Sequence, residues 1–377
     1  MTAGTLGSCV SGYGNVSFAG LTVNITPAAL TATVGNFSKV YGTNDGLFTY
    51  TLSGLQGTDT MAGVMTGRLG RQTGENVGNY ALTNGSLASN GDYALTINLG
   101  GAKESITPTN LTVTGVNTSK TYGTSDPGPA FTTAGLVNGV VQSYDTNGNL
   151  VNVTLADTVA NSLTGSLGRQ AGESVGNYAY TLGSLGLASG NASGNYRLAI
   201  NLAGAQETIT QANLTVTVTG QNTSKVYGTN DQVLPYTTSG VINTTVRSYD
   251  ASGNVVNVTV DDTGTGVMSG NLGRQSGENV GNYALTLGSL NFTNHNYALV
   301  LNPVGANETI TAANLTVTAS NATKTYGTND PTLGYTTAGL VNRIVQSRDA
   351  SGNLVNVTLA DTAANTLTGS LGRQSGE

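Results

Sequence analysis

The sequence predicts an all-β or β-rich chain, with at most short helices, arranged as a tandem array. Three observations predict it: self-similarity at a period near 100 residues, apolar/Thr alternation with period two, and Gly, Asn and Asp grouped between the apolar runs. Lys-x-Tyr-Gly-Thr occurs at Lys39/Tyr41, Lys120/Tyr122, Lys225/Tyr227 and Lys324/Tyr326, and Leu-Gly-Arg-Gln-x-Gly-Glu at Arg71, Arg169, Arg274 and Arg373. The opening Leu residues of successive units, Leu111, Leu214 and Leu315, stand 103 and 101 residues apart. Leu30 opens a shorter first unit of 81 residues.

The elements of a unit follow in a fixed order. The opening strand alternates Leu214, Val216 and Val218 with Thr215, Thr217 and Thr219, the pattern of a half-buried antiparallel strand. The Tyr-Gly turn comes next. Residues 140–153 and their equivalents then form a hairpin, with Asp-x-x-Gly-Asn at Asp145, Asp250 and Asp349 as its turn. The first unit lacks this segment, since Tyr41 to Arg71 is 30 residues where Tyr122 to Arg169 is 47. The hairpin therefore reads as an insertion that the fold does not require. One or two helical turns are expected near Ala134–Val141 and Ala338–Val345. After the Gly-Arg strand come the Gly-Asn-Tyr strand (Tyr80, Tyr178, Tyr283), a second Tyr strand (Tyr93, Tyr196, Tyr297) and a closing Glu-x-Ile-Thr (Glu104, Glu207, Glu308).

These spacings divide the chain into 1–27, the tail of a preceding unit; 28–108, a unit without the hairpin; 109–211 and 212–312, complete units; and 313–377, a truncated unit. The chain is thus expected to be a fragment of a longer array. With no linkers between units, an elongated rod is expected. In the truncated unit, residues from about 320 to 377 are expected to be unfolded, because Leu315, Val317, Leu367 and Leu371 have no partner strands.

Composition narrows the function. Charged residues are 9%, against roughly 25% in an ordinary domain, and the net charge of −6 disfavours a nucleic-acid partner. One His (His295), one Cys (Cys9) and no Trp cannot supply a His/Cys metal cluster or a disulfide within the chain. No run of 18 apolar residues is present, and the N-terminus does not read as a secretory signal.

Leu-Thr-Val-Thr, Lys-x-Tyr-Gly-Thr-x-Asp, Gly-Glu-x-Val-Gly-Asn-Tyr and the closing Ile-Thr-Pro (Ile25–Pro27, Ile106–Pro108) resemble, in this order, the MBG domains of the Tyr-Gly variety. Gln211 and Ala312 stand where Pro closes the earlier units. The resemblance covers nearly the whole chain. It implies a small β-grasp-like or sandwich-like unit found in filamentous-haemagglutinin-like and other exported adhesins of Gram-negative bacteria, and it brings no catalytic residues. The chain is accordingly expected to be non-enzymatic: a stalk or spacer of a large secreted or surface-exposed adhesin. Its partners would be neighbouring units, and a host or biofilm ligand held by the parent protein. No cofactor, metal or small-molecule substrate is assigned. The alternative is a non-catalytic module that binds glycan or protein through its hairpin loops.

Individual residues are weighed against plainer roles. His295 is expected in an exposed loop, and Cys9 to be a free thiol. Asp145-x-Asn147-Gly148-Asn149 alternates oxygen ligands, but Ala156 stands where an EF-type loop needs its closing acid, so a turn is favoured over calcium. Four of the five Lys residues occupy one repeated place beside the repeated Asp45, Asp126, Asp231 and Asp330 and the Gly-Glu at Glu75, Glu173, Glu278 and Glu377. An ion pair tying the Tyr-Gly turn to the sheet is expected there, in preference to a Lys isopeptide crosslink. Ice binding through Thr ladders would need a far shorter repeat, and the abundant Asn-x-Thr/Ser sequons follow from composition.

Overall fold

The computed structural model describes residues 23–190, 194–219, 223–264, 266–302 and 305–376. Cys9 and most of the leading segment lie outside them. The chain forms two compact units, each described by itself: one comprises residues up to Thr112 with Thr133–Thr164 and Leu187–Ala199, the other Val113–Thr132, Gly165–Gly186 and Ile200 onwards.

The strand-rich, nearly helix-free architecture agrees with the all-β prediction. In the first repeat the strands are β1 (Ala28–Val34), β2 (Phe37–Val40), β3 (Tyr50–Ser53), β4 (Met65–Thr66), β5 (Gly70–Arg71), β6 (Gly78–Thr83), β7 (Ala88–Ser89), β8 (Tyr93–Asn98) and β9 (Lys103–Thr107). One sheet has the order β3-β1-β8, a second β2-β9-β6-β5, and β4 pairs β7. The chain passes between the two larger sheets twice, from β1 to β2 and from β8 to β9. Both passages run parallel, with Leu30 opposite Leu95 and Lys39 opposite Ile106. The third repeat repeats this plan: Ala212–Val218 pairs parallel with Tyr297–Asn302, and Thr223–Val226 with Asn307–Thr311.

Alternation decides which faces are covered. Leu30, Ala32 and Val34 are buried with Phe48, Val64, Leu69, Leu82 and Tyr93, and Leu214, Val216 and Val218 occupy the same row in the third repeat. Tyr144, from the hairpin of the second repeat, joins the first repeat's core.

The expected helices at Ala134–Val141 and Ala338–Val345 are not present; those residues contribute to strands Ala130–Ala134, Asn138–Tyr144, Tyr335–Ala338 and Asn342–Arg348. The physical reason is period two: Val141 and Ser143 are buried while Val140 and Gln142 are exposed, and the strand pairs in register with Leu150–Ala156. Short helices stand elsewhere, at Met61–Val64, Val159–Ser162 and Ala363–Thr366, each capped by a Thr that accepts from a backbone N–H.

The expectation that residues from about 320 onwards are unfolded is corrected for the fourth repeat's hairpin. Val345 (1% exposed) and Leu359 are buried against Tyr227 of the third repeat, so the missing partners are supplied from the preceding repeat. Outside that hairpin and the buried Val341 that leads into it, the repeat's apolar side chains are half-buried, as Leu315 and Leu367 are, or exposed, as Tyr326 is at 92%. Amide hydrogen exchange should therefore divide this repeat. The strands Asn342–Arg348 and Leu354–Ala360 should match the protection of Asn243–Tyr249 and Val255–Asp261, while Thr316–Ala319 exchanges orders of magnitude faster. Uniformly fast exchange across residues 342–360 would contradict the docked hairpin.

Candidate functional site

The repeated charged residues converge. In the first repeat Lys39 (β2), Asp45 (after the Tyr-Gly turn), Arg71 (β5), Glu75 and Glu104 (β9) form one cluster, with Arg71 0% and Glu104 1% exposed. Arg71 Nε donates to Asp45 Oδ2 at 2.8 Å, and Nη2 to Oδ1 at 3.1 Å and to Glu75. Nη1 donates to the carbonyls of Gln72 and Gly74 at 2.9 and 2.7 Å. Lys39 Nζ donates to Asp45 Oδ1 and Glu75 Oε2, each at 2.5 Å. The Tyr80 ring covers the guanidinium with its centroid 5.1 Å from Cζ, a cation–π contact. The same constellation recurs as Lys120, Asp126, Arg169, Glu173, Glu207 and as Lys225, Asp231, Arg274, Glu278, Glu308.

The cluster is closed by the next repeat's hairpin. Arg71 Nη2 donates to Ser143 Oγ at 2.8 Å, Tyr144 N–H to Asp45 Oδ2 at 2.8 Å, and Arg71 N–H to the Asp145 carbonyl at 3.2 Å. Ser248 with Tyr249, and Ser347 with Arg348, serve Arg169/Asp126 and Arg274/Asp231 in the same way. Gly70 permits the approach, for a Cβ there would lie 2.3 Å from the Asp145 carbonyl oxygen. The inserted hairpin is thus part of the preceding repeat's core, and its Asp145–Asn149 turn rests on that repeat through Gly148, with Thr146, Asn147 and Asn149 exposed. Asp145 Oδ1 accepts from the N–H groups of Asn147 and Asn149, both at 2.8 Å, and Oδ2 from Asn149 Nδ2 at 3.0 Å, as a turn requires.

A second contact of the same kind explains the Tyr-Gly motif. Tyr41 Oη donates to Asp157 Oδ2 at 2.9 Å, and Tyr196 Oη donates to the same oxygen while accepting from Val137 N–H at 2.8 Å. Tyr122, Tyr297 and Asp262 repeat the arrangement. Burial, then the hydrogen bond to the carboxylate, pushes Tyr41 and Tyr196 upward, and Tyr122 up to about 12. Gly42 has φ +85° and would set a Cβ 2.7 Å from Val137, so glycine meets both a conformational and a steric demand there.

The sequence located the Lys–carboxylate pairs but missed that Arg71 and Glu104 belong with them, and that the next repeat completes the set. One signal was available: eight of only 14 basic residues are the repeated Lys and Arg. Asp45 is bound on both oxygens by Arg71 as well as by Lys39, which keeps it an ionic partner and a poor electrophile for an isopeptide bond. His295 is exposed; its carbonyl accepts from Gln211 Nε2.

Two cations face three carboxylates, and Glu104 answers the imbalance. Its Oε2 comes within 2.7 Å of Arg71 Nε yet accepts no hydrogen bond, because that N–H is directed at Asp45. One oxygen of Glu207 and one of Glu308 are likewise without a donor. Burial, reinforced by the Asp45 charge and opposed by Arg71 and Lys39, pushes Glu104 up to about 7; Glu207 also reaches about 7, and Glu308 is raised. For Asp45 burial acts upward too, but the bonds from Arg71, Lys39 and Tyr144 N–H outweigh it and hold the carboxyl low.

A family model for the MBG domain of YGX type matches residues 30–101, 214–304 and 315–377. No curated protein matches the chain. Among solved structures, the N-terminal four Ig domains of Dscam1 isoform 9.44 align at 13% identity over 75% of this chain and 73% of that one, with a TM-score of 0.12, too low to carry any argument.

Arg169→Met should strip a buried set of carboxylates of one of its two cations, leaving Lys120, and cost about 3–5 kcal/mol in urea denaturation. Arg373→Met, at a side chain 40% exposed, should change stability by less than about 1 kcal/mol. Between the unfolded glutamate range, about 4.3, and about 7, the folded chain holds protons that the unfolded chain has released, so stability falls as pH rises through that window. Melting temperature should accordingly be higher at pH 5 than at pH 8, and Glu104→Gln, Glu207→Gln and Glu308→Gln together should flatten the difference. Below the aspartate range stability should fall again, as the depressed Asp45, Asp126 and Asp231 are forced to protonate.

Proposed function

Since the chain belongs to the family of MBG domains of the YGX type, a β-rich repeat module, we propose that it is a structural spacer: a stalk section of a large exported bacterial adhesin, acting without catalysis outside the cell. The observation that carries this reading is the closure of each complete repeat's charged core by the hairpin of the next. Tandem domains that merely share a chain have no need of one another's core residues. Here the junctions are also short. Pro108 alone separates Lys103–Thr107 from Thr109–Val116, and Gln211 alone separates Gln206–Thr210 from Ala212–Val218.

Placement on the outer surface of a Gram-negative bacterium is part of the same proposal. It is supported by the family and by a Thr/Asn/Gly-rich surface with few charges, which stays hydrated without strong fields. The ligand, in this reading, belongs to another part of the parent protein. The alternative, recognition through the hairpin loops, has less support because the hairpins are committed to closing the preceding repeat's core. Small-angle scattering tests the spacer. A compact globule of 377 residues has a radius of gyration of about 21 Å, and a spacer should give a value well above it. A measured value near 21 Å would end the stalk reading.

A further inference from the structure

We propose that each complete repeat is a tension clamp, built to resist extension of the chain through its own ends, and so a mechanical element as well as a spacer. The inference rests on where the two ends of a repeat lie in its sheets. The first repeat begins with β1 and ends with β9. β1 runs parallel to β8, which leads into β9, over six register positions from Ala28/Tyr93 to Thr33/Asn98. β2, which continues β1, runs parallel to β9 over four, from Phe37/Glu104 to Val40/Thr107. A pull applied at the start of β1 and the end of β9 therefore draws two parallel strand pairs past one another along their length. The evenly spaced bonds of a parallel ladder share such a force, and the pair cannot part until many of them fail together. Antiparallel neighbours pulled apart from one end would instead open bond by bond.

Three further features fit this reading. Neither terminal strand is an edge: β1 lies between β3 and β8, and β9 between β2 and β6, so both are bonded on two sides. The buried charges straddle the sliding surface as well. Lys39 is on β2 and Glu104 on β9, and Arg71 reaches Asp45, Glu75 and Glu104 together. Displacing β9 along β2 would separate Glu104 from Arg71 while both are buried, which adds a desolvated charge to the barrier. Finally, the plan is repeated. Ala212–Val218 and Tyr297–Asn302 give six parallel positions and Thr223–Val226 with Asn307–Thr311 four, and Thr118–Thr121 is parallel to Gln206–Thr210 in the second repeat. Resistance to force is set by the unfolding barrier, not by equilibrium stability, so a chain of modest stability can still be a stiff tether.

Single-molecule pulling on the full chain tests the clamp by changing only the direction of force. With Cys9→Ser removing the native thiol, handles on Ala29→Cys and Thr107→Cys load the first repeat along its strands. Handles on Ala29→Cys and Ala94→Cys, exposed residues paired across β1 and β8, load the same ladder from one end. At equal loading rate the first geometry should rupture at a several-fold higher force than the second. Similar forces in both, or gradual extension without a discrete rupture in the first, would overturn the clamp. The proposal builds on the spacer reading but fails separately from it. Weak rupture in a particle that scattering shows to be extended removes the clamp and leaves the spacer. Strong directional rupture in a compact particle supports the clamp and removes the spacer. Matched melting curves for the two double-Cys variants establish that each is folded before it is pulled.

Discussion

A guanidinium taken wholly out of water must find acceptors for its N–H groups and charge to balance its own, and in this chain Arg71, Arg169 and Arg274 impose that demand three times. Asp45 and Glu75 supply charge, the carbonyls of Gln72 and Gly74 supply acceptors, and Tyr80 covers one face. The last hydroxyl acceptor, Ser143, and the N–H that finishes Asp45 come from the next repeat. Such a cluster is a poor source of net stability, since apolar residues packed in its place would avoid the desolvation cost. What it supplies is discrimination. A hairpin slipped by one residue would turn its alternate face inward, putting the exposed Gln142 in place of Ser143 and leaving a buried arginine short of an acceptor.

Much of the fold was legible because it is written in periods. Alternation in Leu214–Val218 gave the strand and its buried face, and the spacing of Tyr-Gly to Gly-Arg gave the place of the hairpin. Where reading failed, the cause was contact between distant residues. Val-Asn-Gly-Val-Val could be taken for a helical turn because nothing local shows that Leu150–Ala156 pairs with it in register. The fourth repeat's hairpin was expected to be unfolded because its partners were sought within its own repeat, whereas Tyr227 and Asp231 belong to the one before. The cluster itself was half visible. Repeated Lys and Asp suggested a pair tying the Tyr-Gly turn to the sheet at the edge of the core, but its full burial and the membership of Glu104, 65 positions beyond Lys39, depend on β9 lying beside β2.

The first repeat shows what the hairpin is for. It has none, yet its two larger sheets have the same strand order as those of the third repeat, which has one. A segment that can be absent without altering its own repeat, and whose two strands pair only with each other in their sheet, finds its main packing in the repeat before it. Dependence between repeats is therefore unequal: a hairpin that loses the repeat before it loses only its own packing, as that of Val345 and Leu359 on Tyr227, while a repeat that loses the following hairpin loses the closure of its charged core. A repeat can lack its own hairpin and keep its sheets, whereas its charged core takes an acceptor and an N–H donor from the hairpin that follows.

That polarity changes how an array of such repeats stores its stability. In a repeat protein the total is a sum of intrinsic terms and neighbour terms. Here the neighbour term includes completion of a buried ionic network, so losing a neighbour brings the penalty of an unfinished core as well as lost contact area. Opening one repeat withdraws its hairpin from the preceding cluster, and water then reaches an arginine and three carboxylates that were packed without it. The preceding repeat's core is weakened, while the following repeat loses only the surface its hairpin packs on and keeps its own closure. Loss of structure is therefore expected to spread towards the N-terminus more readily than towards the C-terminus, a direction set by which repeat lends the hairpin and which receives it.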